Sequence, residues 1–162
     1  MRRMIAFLLL VCFLLSSCSA SGERIKSPAI FYYLQSQPDY FSEDGVIASE
    51  KRETSGHKND ISYLLALYLM GPSDESLTSP LPENCVLYYT EIMDETLILR
   101  ISSLDNSLSD YEFSLACACL ALTCFDITDA QKVTVYSGER TMEMIRNTIS
   151  TYDNYTAVEE VQ

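Results

Sequence analysis

Between Asp60 and Met70 the apolar residues Ile61, Leu64, Leu65, Tyr68 and Leu69 recur at i, i+3, i+4, i+7 and i+8. That spacing puts them on one stripe of a helix, ready to face a sheet. Asn59 or Asp60 supplies the N-cap. Gly71 can take the left-handed position after the last turn, and Pro72 stops continuation. A second apolar stretch, Phe113 to Phe125, is hydrophobic nearly all round, which predicts a deeply buried helix. Ser109 and Glu112 form a capping box at its start, and Asp110 favours its positive end. Other stretches carry strand signals. Ala29–Leu34 is aromatic and branched between Pro28 and Pro38. Val46–Thr54 begins apolar and turns charged at Glu50-Lys51-Arg52-Glu53, as a strand leaving the core would. Leu97, Leu99 and Ile101 alternate with Ile98, Arg100 and Ser102, so Thr96–Ser102 shows one inward face. It pairs with Cys85–Ile92 around the short connection Met93-Asp94-Glu95. Lys132–Tyr136 reads as a last strand, and Met142, Ile145 and Ile149 suggest a short helix in the tail. The segment with Pro80-Leu81-Pro82 is too proline-rich for a central strand. The expected architecture is a single small α+β domain of order β-β-α-β-β-α-β, with two helices on one face of a mixed sheet.

Ahead of this domain the pattern changes character. Met1-Arg2-Arg3-Met4 is a short positive segment, and Ile5–Leu15 is almost purely apolar. Eleven residues span about 16 Å as a helix, roughly half a bilayer core, so the run reads as a signal h-region and not as a membrane-spanning helix. It is followed by Leu15-Ser16-Ser17-Cys18, which resembles the bacterial lipobox. The types suit the chemistry: a thiol accepts the diacylglyceryl group, and two small residues admit the peptidase before the cysteine. Residues 1–17 are therefore expected to be a signal peptide and Cys18 the lipidation site. Each buried methylene contributes about 0.8 kcal/mol, so two or three acyl chains anchor stably where one does not. Residues 18–28, rich in serine with glycine and alanine, read as the lipidated cysteine and a flexible tether.

Charge narrows the partners. The chain of 162 residues carries 23 acidic against 11 basic side chains, a formal −12. Loss of the signal would remove Arg2 and Arg3 and no acid, leaving −14. Such a surface repels nucleic acid and anionic head groups. The membrane is then met through the lipid, and the domain through protein partners in the envelope or further copies of itself.

Residues of a type suited to catalysis or metal binding are few. Cys117 and Cys124 share a helix face, Cys119 lies about 200° from Cys117, and no Cys-x-x-Cys occurs. These thiols, with Cys85, read as small buried apolar residues, with a Cys85 disulfide to the second helix left open. His57 is the sole histidine and sits in a polar turn. No nucleophile elbow, phosphate loop, zinc motif or calcium loop is present. The expectation is no catalytic residue, no metal and no cofactor. Tyr32-Tyr33 and Tyr88-Tyr89 each set one aromatic outward on a strand, so Tyr32, Tyr33, Tyr88 and Tyr89 are the candidate interaction residues.

Residues 64–72, Leu-Leu-Ala-Leu-Tyr-Leu-Met-Gly-Pro, resemble the helix end of GerMN domains, the sporulation and spore-germination module. Leu77–Pro82 is similar to that family's proline-containing loop, and Thr96–Ser103, ending Arg-Ile-Ser-Ser, to its second hairpin strand. The likeness covers residues 29–140, leaving 141–162 as a C-terminal extension. Glu83-Asn84-Cys85 and Met93-Asp94-Glu95 depart from the family's turns. The resemblance implies a non-enzymatic assembly or scaffold module, lipid-anchored at the outer face of the cytoplasmic membrane of a spore-forming Gram-positive bacterium. The alternative reading is a lipoprotein that binds a small ligand or a wall polymer.

Overall fold

The computed structural model describes residues 28–38, 45–54 and 56–146. The signal segment, Cys18 and the tether to Ser27 lie outside them, as does the chain beyond Arg146. The elements are β1 (Pro28–Gln35), β2 (Ile47–Glu53), α1 (Ile61–Leu69), β3 (Leu77–Thr78), β4 (Leu87–Met93), β5 (Thr96–Ile101), α2 (Asp110–Ile127), β6 (Lys132–Ser137) and β7 (Arg140–Ile145). The class is α+β, with two helices and a mixed sheet.

The strands fall into two hydrogen-bonded sheets. β2-β1-β3 is antiparallel throughout, while β4-β5-β6-β7 has a parallel pair at its centre, β5 with β6. Parallel neighbours cannot be joined by a tight turn, and α2 is the crossover between them. One buried cluster serves both sheets. Phe31 and Tyr33 enter it from β1, Leu64, Leu65 and Tyr68 from α1, Leu97 and Leu99 from β5, and Val133 and Val135 from β6. Tyr33 stacks on Tyr68 with centroids 4.9 Å apart and planes 10° from parallel.

The division into two sheets has a physical cause. β1 pairs with β3 only at Leu34 and Gln35, because the prolines after Thr78 end the strand. Further along the same edge, α2 replaces a strand. The Tyr32 N–H donates to Thr123 Oγ1 at 2.9 Å, and the Ile30 N–H to Asp126 Oδ2 at 3.2 Å. Helix side chains satisfy that edge.

The tail corrects the sequence reading. Residues Arg140–Ile145 form strand β7, paired with β6, not a helix around Met142 and Ile145; Ile149 lies outside the described residues. Met142 and Met144, two apart, pack on the core, so a period of two competes with the period of three and wins. The tight reversal at Ser137-Gly138-Glu139 decides it by returning the chain beside β6. Gly138 has φ 60°, and a Cβ there would run into the Asp105 carboxylate and Ser103 hydroxyl. The folded unit therefore continues past residue 140, where the extension was expected to begin.

Candidate interaction surface

Among the described residues the mixed sheet packs one face inward and leaves the other open. Cross-strand partners share a face, and the register sets Tyr89 beside Arg100 and Arg100 beside Tyr136, with Ile98 one pair further along. These four residues line a shallow depression of about 350 Å³. Arg100 stands over the Tyr136 ring at 6.0 Å from its centroid. The Tyr89 hydroxyl donates to Glu91 Oε2, and that bond raises the Tyr89 pKa. Met93 and Tyr88 add exposed apolar surface at 54 % and 66 %.

The predicted interaction residues separate. Tyr33 is fully buried at 0 % exposure and belongs to the core, which removes it as a contact residue. Its hydroxyl donates to the Tyr68 carbonyl at 3.0 Å, and burial pushes its pKa up to about 12. Tyr32 is half-buried against α2. Burial first, and then the nearby Asp126 charge, raise its pKa. Tyr88 and Tyr89 are both exposed, although strict alternation would have turned one inward. A register irregularity between Leu87 and Tyr89 breaks the alternation: Leu87 packs on the core and both tyrosines stay out. Sequence reasoning missed Arg100 and Tyr136. The signal was available in the period-2 pattern, since each alternates with the buried residues of its strand.

Arg100 differs from the other described arginines. Arg52 lies over Phe31, donates to the carbonyls of Leu67 and Gly71 at 3.1 and 2.9 Å, and pairs with Glu50. Arg140 lies over Phe113 and donates to the Leu108 and Asp105 carbonyls. Arg146 lies over Phe125 and donates to carbonyls of Phe125, Thr128 and Ala130. These three fasten helix ends and their loops. Among the described residues Arg100 meets neither carboxylate nor carbonyl.

A larger cleft of about 630 Å³ opens between the start of α1 and the β4–β5 hairpin, lined by His57, Asp60, Ile61, Thr90, Glu91 and Ile92 among others. His57 stacks on Tyr63 at 4.3 Å. Asp60 caps α1, its Oδ1 accepting from the Tyr63 N–H at 3.0 Å.

Cys85, Cys117, Cys119 and Cys124 are free and buried, as the reading of them as small apolar residues expects. Burial pushes the Cys117 and Cys119 thiols up to about 12 and raises Cys85 and Cys124 as well. Among the described residues no three His, Cys, Asp or Glu side chains gather as metal ligands, and no helix is long and apolar enough to cross a membrane.

Two solved structures are similar to this chain in fold. One holds the tandem GerMN domains of the sporulation protein GerM from Bacillus subtilis, with TM-score 0.48 and 22 % identity over 70 % of this chain. The chain spans 39 % of that two-domain protein. The other is a candidate lipoprotein from Clostridium perfringens, with TM-score 0.42 and 17 % identity, covering 75 % of this chain and 89 % of that one. No family model matches the chain, and no curated protein matches it.

Proposed function

We propose that the protein is a lipid-anchored envelope component that works by contact, as an assembly or scaffold module, through the open face of the mixed sheet. The observation that carries this reading is the set Tyr88, Tyr89, Met93, Arg100 and Tyr136 exposed on one sheet. Tyrosine, arginine and methionine are enriched where proteins bury surface against each other. The lipobox-like Leu15-Ser16-Ser17-Cys18 and the GerMN-like segments support the envelope location and a role in sporulation or germination. Partners are envelope proteins or further copies of the chain. The reading is non-enzymatic, supported by the lack of a catalytic motif around His57, whose imidazole lies against Tyr63.

Two measurements test it. Fatty-acid labelling of the wild-type protein in cells should disappear with Cys18→Ala; label that persists would remove the anchor. The double variant Tyr89→Ala/Tyr136→Ala should keep the thermal transition of the purified domain within a few degrees. It should lose the envelope complexes that the wild type retains in mild detergent. Unchanged complexes would remove this face from the account.

One observation favours a second reading, a lipoprotein binding a small ligand or wall polymer. Arg100, between two tyrosines at the depression of about 350 Å³, is placed to receive an anion beside the Tyr136 ring. A carboxylate-bearing amino sugar should then shift the Tyr89, Arg100 and Tyr136 amide signals more than its neutral counterpart. Equal or absent shifts would end this reading.

A further inference from the structure

The fold closes one strand edge and leaves another open. Along β1 the free N–H groups of Ile30 and Tyr32 are taken by Asp126 and Thr123 of α2. Among the described residues β4 is the first strand of its sheet and has a strand partner on one side only. Its hairpin closes on the pair Met93 and Thr96 around the two-residue turn Asp94-Glu95, with Asp94 at φ 54°. In such a turn the closing pair is hydrogen-bonded, and bonded and non-bonded pairs then alternate. Glu91 and Tyr89 therefore bond toward β5, while Thr90 and Ile92 direct their backbone N–H and C=O groups to the open edge. These two residues line the cleft of about 630 Å³ beside α1. No lysine or proline blunts the edge between Leu87 and Met93, and such residues are the usual protection.

Four carboxylates stand around this edge. Asp60 and Glu91 line the cleft, and Asp94 and Glu95 form the adjoining turn. Asp60 already answers the positive end of α1, through Oδ1, and Glu91 is engaged through Oε2. The second oxygen of each carboxylate remains for a cation. The whole chain stands at −12, which adds long-range attraction for a basic partner and repulsion for an acidic one.

We propose that the open edge of β4 accepts an extended, lysine- or arginine-rich segment of a partner protein as an added strand. The segment pairs its backbone with Thr90 and Ile92 and brings its cations to Asp60 and Glu91. Main-chain pairing supplies affinity, and the carboxylates select the partner. The proposal rests on the reading of the domain as a contact module and sharpens it by giving the partner's chemistry.

The probe is an octapeptide alternating lysine with valine, titrated into the isotope-labelled domain in low salt. Its glutamate–valine counterpart and an N-methylated lysine–valine version serve as controls. The lysine peptide should shift the amide signals of Thr90, Ile92 and Asp60, and raising the salt tenfold should weaken it. The glutamate and N-methylated peptides should bind at least tenfold more weakly. Ile92→Pro removes an N–H that faces the open edge, where proline is tolerated. It should weaken the lysine peptide at least tenfold while leaving the signals of the core residues Leu99 and Val135 in place. Equal binding of the two charge types, undiminished binding of the N-methylated peptide, or shifts confined to other surfaces would overturn the proposal. If the envelope complexes still depend on Tyr89 and Tyr136 while the lysine peptide fails, the contact-module reading stands and the β4 edge falls.

Discussion

Arg52 does several jobs with one side chain. It closes the end of α1 by donating to the Leu67 and Gly71 carbonyls, lies over Phe31, and pairs with Glu50. Glu50 in turn accepts from the Ser73 and Asp74 N–H groups, with both side chains mostly out of water. Removing one partner of a shielded pair leaves the other charge uncompensated. Arg52→Met should therefore destabilise the domain by about 3 kcal/mol, measured by denaturant unfolding. A loss under about 0.5 kcal/mol, the size of an exposed pair, would show that the network is ornamental. Tyr68 presents the opposite case. Among the described residues its buried hydroxyl meets no hydrogen-bond partner, and a buried unsatisfied group costs on the order of 1–3 kcal/mol. Tyr68→Phe should be neutral or stabilising, and a clear loss of stability would reveal a partner that this packing lacks. Neither role is visible in the chain. Glu50 and Arg52 look in sequence like the polar end of a strand, and only the closeness of α1's last turn gives them work. The cap of α1, narrowed to Asn59 or Asp60 and found at Asp60, the capping box at Ser109 and Glu112, and the stop at Gly71 were legible because their partners lie within a few residues.

Across α2 the buried residues form a continuous girdle. Phe113, Ala116, Cys117, Cys119, Leu120, Ala121, Thr123, Cys124 and Phe125 are all buried, since β1 takes one side of the helix and the mixed sheet another. The thiols of this helix give the fold a pH dependence. Burial raises the Cys117 and Cys119 pKa values from 9.0 to about 12, and burial raises the phenols of Tyr33 and Tyr68 too. A buried neutral acid with a raised pKa stabilises fully below its unfolded value, and that contribution is lost as pH climbs toward the folded value. Stability should hold to about pH 9 and fall between 9 and 12, followed by the denaturation midpoint. A midpoint that stays level across that range would mean the thiols ionise in place. The same burial predicts slow alkylation of all four thiols in the native domain and fast alkylation once it is unfolded. The contact between α2 and β1 is a second element-scale test. Thr123→Val keeps the shape but strands the Tyr32 N–H, so a loss of about 1–2 kcal/mol is expected. The long buried helix was readable from its unbroken apolar run. That its polar Thr123 and Asp126 close a strand edge was not, because the partner is more than ninety residues away.

At the scale of the molecule, one face of the mixed sheet is spent on the core and the other, among the described residues, is exposed. The inner face follows from alternation alone, so Leu97, Leu99 and Ile101 were assigned correctly from sequence. The outer face was only half readable. The bulge that exposes both Tyr88 and Tyr89 is a property of pairing with β5, and the neighbourhood of Arg100 with Tyr89 and Tyr136 depends on three strands in register. β7 was hidden by a tail whose apolar residues fit two periods equally well until the turn at Gly138 fixed its direction. The acidic balance is a further whole-molecule property. It predicts that association through the open face, if the partner is basic, weakens with salt, as sedimentation at low and high ionic strength would show.

The most direct test places a photo-crosslinking amino acid singly at Tyr89, Met93, Tyr136 and, as controls away from that face, at the exposed Lys51 and the half-buried Ser114, in the full-length protein in living cells. Discrete adducts of the same mass from Tyr89, Met93 and Tyr136, with none from Lys51 or Ser114, are the predicted result. Adducts from the control positions alone, or none from the open face, would contradict it.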